Sequence, residues 1–299
     1  MSRNIVYHYC SAEVFEKIIV NKKLRLSDIT KSNDSQEIAW TSKHILDVFL
    51  KNYNESKCIK LEKLCSKEDF KKLLEASFED YFESGLYSFP TCCFSEDGDL
   101  LSQWRGYADD ASGFSIGFNK NALLNLGVFS GSDICNTNTI AFGKITYEDN
   151  MFFVDQCAKD CLKDLKREKS IDGNKSDLLP KQKTIMDRWM LTLLRLSLYV
   201  KNPFFSEEKE WRLLYCWNTN SCSEKLQITN KLLLTEINFY VRENSIVPYV
   251  DLDFNKQKHF IEKVTIGPKC KATEDEISYF LKLNGIGDCE VKKSIGTYR

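Results

Sequence analysis

The sequence lacks the features that mark several common classes of protein. It contains only three histidines, and none of its 12 cysteines forms a Cys-x-x-Cys pair, so a zinc site has few possible ligands. No apolar run approaches the roughly 20 residues that span a bilayer, and no apolar signal segment follows the N-terminus. Its 42 basic and 43 acidic residues almost cancel, which gives no overall attraction to nucleic acid or to an anionic membrane. These absences predict a cytoplasmic protein with reduced thiols, no bound metal and no membrane contact.

Glycine-rich phosphate-binding loops are missing as well. Neither Gly-x-Gly-x-x-Gly nor a Walker loop occurs, so nucleotide binding of those two kinds has no support. A nucleic-acid hydrolase is disfavoured because no metal-binding carboxylate cluster is accompanied by histidines. With 42% apolar and 28% charged residues in a chain of 299, the composition is that of a globular protein with a sizeable core.

The periodicity of apolar residues predicts a mixed α+β fold. Alternation over Gly113–Phe118 predicts a strand, and short runs of the same kind recur near both ends of the chain. Ser11 is expected to cap an early helix, and Thr273–Glu276 has the form of a capping box before a late one. Because strands and helices do not alternate regularly, the pattern indicates the α+β class.

The stretch Lys201–Tyr215 carries the first candidate site. Three carboxylates, Glu207, Glu208 and Glu210, stand before an apolar run, Trp211–Trp217, that predicts a strand. A carboxylate held rigidly at the start of a strand suits acid–base chemistry or the stabilisation of a developing cation. Glu208 and Glu210 are two positions apart, so both can address one ligand from the same side. The alternative is a solvated loop before a core strand, and which of the three acids would act stays open.

A second candidate is Tyr7-His8-Tyr9, at the end of the first predicted strand. It places an imidazole and two phenol rings around one point. The alternative is a core histidine whose hydrogen bonds are satisfied within the fold.

The third candidate is the stretch Gln103–Asp110. Trp104 and Tyr107 are three positions apart and share a face of a short helix, with Arg105 beside them. Two aromatic rings with an arginine can stack a flat ring and hold a phosphate. The alternative is a packing plug between helices, in which Arg105 pairs with one of the two aspartates that follow.

Several motifs together resemble the bacterial family DUF2971. They are Tyr-His-Tyr, Asn-Lys-Lys-Leu-Arg-Leu-Ser, Cys93-Phe-Ser-Glu, Leu-Ser-Gln-Trp-Arg-Gly-Tyr-Ala-Asp, Gly-Phe-Ser-Ile-Gly-Phe, Glu-Lys-Glu-Trp-Arg-Leu and Ile-Glu-Lys-Val-Thr-Ile-Gly-Pro268. The resemblance runs from about Ile5 to Pro268, which is nearly the whole chain. The family name itself implies no activity.

A second resemblance implies a chemistry. The histidine-containing first strand, the helix after it and the short Leu-Arg-Leu strand are similar to the opening of ADP-ribosyltransferase folds. The Glu-x-Glu before an apolar strand is similar to their catalytic turn. The resemblance implies a split mixed or antiparallel β-sheet, flanked and interrupted by helices, with an NAD cleft between its halves. It also implies one domain over residues 1–299, with helical insertions near 35–85 and 149–201.

The resemblance implies a role for each candidate residue. Glu210 would be the catalytic glutamate, and Glu208 would orient the acceptor nucleophile. The residues implied to bind NAD are His8 with Tyr9 at the ribose, Trp104 or Tyr107 at the nicotinamide, and Arg25 or Arg105 at the pyrophosphate. If these residues act together, His8, Tyr107 and Glu210 must converge on one cleft.

The implied activity is cleavage of the nicotinamide–ribose bond of NAD, which would be a substrate. The bond breaks through an oxocarbenium-like cation, which a fixed carboxylate stabilises most in the transition state. The acceptor would be a nucleic acid or a protein, as for toxins and phage-defence effectors, with an antitoxin or another regulatory partner. The rival hypothesis is a non-catalytic module that binds a nucleotide or a partner protein on a degenerate transferase fold.

Overall fold

The computed structural model of the protein describes residues 4–31, 35–55, 66–68, 71–72, 75, 87–126, 139–147, 152–167, 197–219, 226–227, 233–242 and 244–296. The α-helices in these ranges are α1 (Ala12–Asn21), α2 (Ser35–Glu55), α3 (Leu101–Tyr107), α4 (Lys120–Leu124), α5 (Phe152–Arg167) and α6 (Glu274–Leu283). Short 3-10 helices span Ile29–Lys31 and Pro203–Glu208. The strands are β1 (Ile5–Cys10), β2 (Lys23–Asp28), β3 (Tyr87–Ser88), β4 (Pro90–Ser95), β5 (Phe114–Asn119), β6 (Thr139–Lys144), β7 (Glu210–Asn218), β8 (Leu226–Gln227), β9 (Leu233–Leu234), β10 (Asn238–Arg242), β11 (Ser245–Asp253), β12 (Ile261–Ile266) and β13 (Glu290–Lys293).

These strands form a mixed, largely antiparallel sheet. Its main path runs β13–β12–β5–β1–β4–β2–β11–β9–β8, and β10 pairs with β11. Strand β7 pairs with β4 and also carries β3 and β6. Strands β12 and β13 run parallel to each other. The α+β class predicted from the sequence is confirmed.

Two helix starts are encoded by their caps, as predicted. The Val14 N–H donates to the Ser11 hydroxyl at 3.3 Å at the start of α1. Thr273 and Glu276 form a complete capping box at the start of α6. Each cap satisfies N–H groups that the first helical turn leaves without partners, which is why these boundaries can be read locally.

Side chains alternate between two faces of the sheet, and this alternation decides which residues can meet. The core face is defined by residues of the main hydrophobic core, among them Val6, Cys10, Phe94 and Leu213. The opposite face, here called the second face, is defined by the residues that alternate with them, among them Tyr7, Tyr9, Ser95, Glu210 and Arg212. Helix α1 buries its apolar side against the core face, whereas α3 packs on the second face.

The sheet opens between β1 and β2. Strand β4 pairs with β1 at one position, Tyr7–Ser95, and with β2 only near its other end, at Pro90 and the next residue. Between these two contacts the ladder along that side of β4 is interrupted. The imidazole of His8 lies there, with Nδ1 2.9 Å from the Cys93 carbonyl oxygen. A side chain therefore supplies a hydrogen bond where the strand ladder does not.

Some boundaries differ from the predictions. Strand β7 begins at Glu210, one residue earlier than predicted, because that residue already pairs with Ser95. Apolar residues within Phe142–Tyr147 predict a short strand, whereas β6 spans Thr139–Lys144. Helices α2 and α5 fall within the two predicted helical insertions. The apolar pattern of residues 186–200 predicts a further helix in the second insertion, but that range lies mostly outside the described residues. The single-domain organisation stays a prediction.

None of the helices in the described ranges combines the length and apolar character needed to cross a membrane.

Candidate functional site

Four charged side chains of one segment form a group at the start of β7, here called the charge cluster, and all but the half-buried Glu208 are buried. Its members are Lys201, Glu208, Glu210 and Arg212. Lys201 Nζ lies 2.7 Å from Glu208 Oε2 and 3.3 Å from Glu210 Oε2. Arg212 donates to Glu210 twice, from Nε at 2.6 Å and from Nη2 at 3.2 Å. Two cations face two carboxylates, and Glu207, the third acid of the segment, is exposed outside the cluster.

The backbone around the two cluster glutamates is fixed from several sides. The 3-10 helix Pro203–Glu208 ends at Lys209, which takes a left-handed conformation at φ 45° before β7 begins. The Ser95 hydroxyl donates to the last carbonyl of that helix at 2.7 Å. The Glu210 N–H donates to the Tyr147 hydroxyl at 2.7 Å. Glu208 is therefore held at the end of a 3-10 helix and Glu210 at the start of β7, and neither carboxylate lies on a solvated loop.

Glu210 is ionised at neutral pH in spite of its burial. Burial raises the pKa of its carboxyl, but the charges of Arg212 and Lys201 and hydrogen bonds from Arg212 and Cys93 outweigh it, so the pKa of Glu210 lies below its ordinary value. Burial and the negative charge of Glu210 raise the pKa of the Cys93 thiol well above its usual range. Cys93 is thus a hydrogen-bond donor and not a thiolate nucleophile. The site offers a fixed anion.

Tyr7, Ser95 and Glu210 lie in one row across β1, β4 and β7 on the second face. Neighbouring strands are about 4.8 Å apart, so Tyr7 and Glu210 are separated by about 10 Å along this row. A Cβ atom at Gly98 would lie 2.4 Å from the Tyr7 ring, and one at Gly117 would lie 3.0 Å away. The ring fits because Gly98 leaves room for it, and Gly117 avoids a second tight contact.

Tyr9 and Trp104 share the second face but are used in packing. Trp104 is 1% exposed, its ring centroid lies 4.8 Å from that of Tyr9, and its indole N–H donates to Asp99 at 2.7 Å. The Tyr9 hydroxyl donates to the Asp97 carbonyl at 2.8 Å and accepts from the Leu100 N–H at 2.9 Å. Trp104 thus has a packing role, although it packs against strand β1 and not between helices, and it has no free ring face for nicotinamide in this conformation.

The accessible members of the predicted set are Arg25, Arg105 and Tyr107. Arg105 and Tyr107 are exposed on α3, Tyr107 to 46%. Arg25 projects from β2 on the second face, where its Nε lies 3.2 Å from Asp251 Oδ1. Its guanidinium carbon lies 3.7 Å from the centre of the Tyr249 ring. These three side chains can contact a ligand without a change in the core.

His8 does not share a face with Glu210, and this corrects the predicted convergence of the two. Its ring centroid lies 6.0 Å from that of Phe94 on the core face, and its Nδ1 lies 3.5 Å from the Cys92 sulfur. Burial lowers the pKa of His8 by more than its hydrogen bond to the Cys93 carbonyl raises it. The neutral imidazole therefore holds its proton on Nδ1. Because side chains alternate along a strand, Tyr7 and Tyr9 lie on the second face with Glu210, and His8 does not.

Lys201 and Arg212 were not among the predicted site residues. A local signal existed for Arg212, because it stands two positions after Glu210 on one strand and must share its face. Lys201 gave no such signal, since a tight turn over Asn202–Lys209 brings it back onto the cluster.

One stretch of β5 has the sequence of the nucleophile motif of α/β-hydrolases but not the exposed turn that this motif requires. Residues Gly113–Gly117 read Gly-x-Ser-x-Gly, which in α/β-hydrolases puts the serine on an exposed strand-to-helix turn. Here Ser115 lies inside β5 and is 0% exposed. It has no access to a substrate.

A cleft of about 440 Å³ lies apart from all these residues, between the turn after β11 and the loop after α6. Lys22, Phe254, Lys258 and Gly287 are among the residues that line it, and the predicted site residues are not. Within the described part of the chain, no group of three or more metal-ligating side chains occurs.

Comparison with known families gives a match over part of the chain. Residues 103–213 match the model of DUF2971, which is described as a protein of unknown function. This supports the predicted family over a segment that contains Trp104 at one end and Glu208, Glu210 and Arg212 at the other. Comparisons with curated proteins and with solved structures gave no match. The function is therefore argued from the site.

Proposed function

We propose that this chain is an ADP-ribosyltransferase-like enzyme that consumes NAD and modifies a nucleic acid or protein acceptor. The observation that carries the proposal is the row Tyr7–Ser95–Glu210, on the second face beside the opening between β1 and β2. A rigid, ionised carboxylate next to an interrupted sheet is the arrangement that the resemblance implies. Tyr107, Arg105 and Arg25 are the proposed contacts to the nicotinamide and the pyrophosphate.

In this proposal Glu210 stabilises positive charge. The C–N bond between nicotinamide and ribose breaks, its electron pair leaves with nicotinamide, and the ribose becomes oxocarbenium-like. A carboxylate that is already ionised and oriented stabilises this cation more than the substrate. The acceptor nucleophile then bonds to the ribose carbon and gives its proton to Glu208. The low pKa of Glu210 suits an anion and is unsuited to a general acid.

Access to Glu210 requires a local change, because its side chain is only 6% exposed. Lys201 Nζ lies 3.3 Å from Glu210 and 2.7 Å from Glu208, so its contact with Glu210 is the longer one. Lys201 can stay with Glu208 while Glu210 gains a ribose hydroxyl. Tyr7 then occupies the position that the resemblance had given to His8.

The neutralisation of the Glu210 carboxylate by neighbouring cations favours a second function, that of a non-catalytic binding module. Lys201 and Arg212 already neutralise this carboxylate. Buried ion pairs of this kind also serve a purely structural role. A chain with only that role would bind a nucleotide or a partner protein without cleaving NAD.

Measuring the release of nicotinamide from NAD distinguishes the enzyme from the non-catalytic binding module. The purified chain is incubated with NAD, and nicotinamide is quantified by chromatography for the wild type, Glu210→Gln and Glu207→Gln. Glu207 is the exposed carboxylate of the same segment and provides the matched control. We expect Glu210→Gln to lose about 10²-fold or more of the release, as when one preorganised stabilising group is removed, and Glu207→Gln to keep it.

Circular dichroism checks that each variant is folded. Equal release by folded Glu210→Gln removes this residue from the mechanism. No release by the wild type, together with a melting temperature raised by NAD, favours the binding module.

A further inference from the structure

The hairpin of β10 and β11 exposes a row of apolar side chains. Phe239, Val241 and Ile246 are 61%, 76% and 67% exposed. The cross-strand pairs Phe239–Pro248 and Val241–Ile246 put all four residues on one side of the ribbon. Exposed apolar side chains that adjoin one another are typical of an interaction surface.

Strand β10 is also an edge strand within the described part of the chain, because β11 is the strand it pairs with there. Pro248 has no N–H, so its pair with Phe239 cannot be one that exchanges two hydrogen bonds. By the antiparallel alternation, the backbone groups of Phe239 and Val241 are directed away from β11. An edge of this kind is a template for another strand.

Opposite charges lie near the two ends of β10, one shortly before its first residue and one at its last. In a second copy of the strand, each charge can meet the opposite charge of the first copy. Glu236 and Arg242 are both exposed. When two copies of β10 run antiparallel about a two-fold axis at Phe239, Arg242 of each copy lies opposite Glu236 of the other. In that register Val241 lies opposite Ile237 of the second copy, so apolar residues also meet apolar residues.

We propose that this chain forms a homodimer by pairing β10 with β10 of a second copy, in the register that joins Arg242 to Glu236. The ladder bonds come from the outward-directed groups of Phe239 and Val241. A shift of two residues would place Arg242 opposite Asn238, which carries no charge, so charge complementarity selects the register. The contact is the same patch on both copies, which closes a dimer instead of extending a fibre.

A charge-swap experiment tests the dimer and its register together. Sedimentation equilibrium of the full chain measures the dimer dissociation constant for the wild type, Arg242→Glu, Glu236→Arg and the double variant. We expect each single change to weaken the dimer about tenfold or more, because like charges then face each other twice. The double variant restores opposite charges and is expected to return to within about threefold of the wild type. Lys256→Glu, an exposed reversal outside the hairpin, is the control and is expected to leave the dimer unchanged.

Three outcomes overturn the proposal. The first is a wild type that stays monomeric at every concentration tested. The second is a double variant that is no better than either single variant. The third is a dimer that Val241→Ser weakens while neither charge reversal does, because that result indicates apolar contact in a different arrangement. The assay needs no NAD, so its result is independent of the enzymatic proposal.

Discussion

Strands β7 and β10 both depart from the usual rule that charged side chains are exposed and apolar side chains are buried. Strand β7 breaks the first part of this rule, and β10 breaks the second. The start of β7 buries charge, with Glu210 and Arg212 only 4% and 3% exposed. Strand β10 exposes apolar surface, with Phe239 and Val241 61% and 76% exposed. The buried charges find their partners within the chain, whereas the exposed apolar side chains are left in contact with solvent. The paired charges of β7 need only one copy of the chain. The exposed apolar side chains of β10 are explained by the proposed pairing with a second copy.

The two regions differ in what a substitution leaves behind. Removing one member of a buried ion pair leaves an uncompensated charge in a buried site. Removing an exposed apolar side chain leaves only solvent in its place. Stability should therefore depend strongly on the charge cluster and weakly on the hairpin.

The largest effect is expected for Arg212→Met. Glu210 then keeps Lys201 alone as its cation, and we expect the free energy of unfolding to fall by about 3–5 kcal/mol. Phe239→Ser is the contrasting variant and is expected to change it by less than about 0.5 kcal/mol, at a concentration where the chain is monomeric. Urea unfolding followed by circular dichroism measures both.

The cause of that loss is tested by a double variant. Arg212→Met combined with Glu210→Gln removes one charge of each sign and leaves Lys201 paired with Glu208. We expect it to be more stable than Arg212→Met alone. A double variant that is less stable would show that packing, and not the unpaired charge, produced the loss.

A smaller effect of pH separates His8 from Glu210. The pKa of His8 is lowered from 6.5 by burial, so below pH 6.5 the unfolded chain binds the proton first and stability falls with the pH. The pKa of Glu210 is lowered from 4.5, so its contribution is present above pH 4.5 and is lost as the pH falls further. His8→Gln is expected to remove the loss of stability between pH 6.5 and pH 4.5. The loss of stability below pH 4.5 is expected to remain in this variant. Urea unfolding at stepped pH measures the difference, and an unchanged decline in His8→Gln would contradict a buried neutral imidazole.

Local patterns predicted the elements but not the partners. The alternation over Gly113–Phe118 and the caps at Ser11 and Thr273 depend on neighbouring residues, and all three predictions are confirmed. The face of His8 depends on how β1 pairs with its neighbours, and a shift of one residue moves every side chain to the other face. The sequence alone could therefore not decide between His8 and the tyrosines beside it.

The contacts within the candidate site could not be read from the sequence for the same reason. Glu208 and Glu210 both contact Lys201 of the same segment. Glu208 lies in the 3-10 helix before β7, so the strand alternation assumed for the pair is not what brings the two carboxylates together. The burial of Glu210 depends on Tyr147 and on the turn before β7, which are distant in sequence or irregular in structure. No periodicity encodes contacts of that kind.

The most direct test of the proposed function is a crystal structure of the chain with a non-hydrolysable NAD analogue. We predict that its nicotinamide riboside end binds on the second face, in contact with Tyr7 and with the carboxylate of Glu210. An analogue bound in the cleft lined by Lys22 and Gly287, with no contact to Glu210, would contradict the proposal.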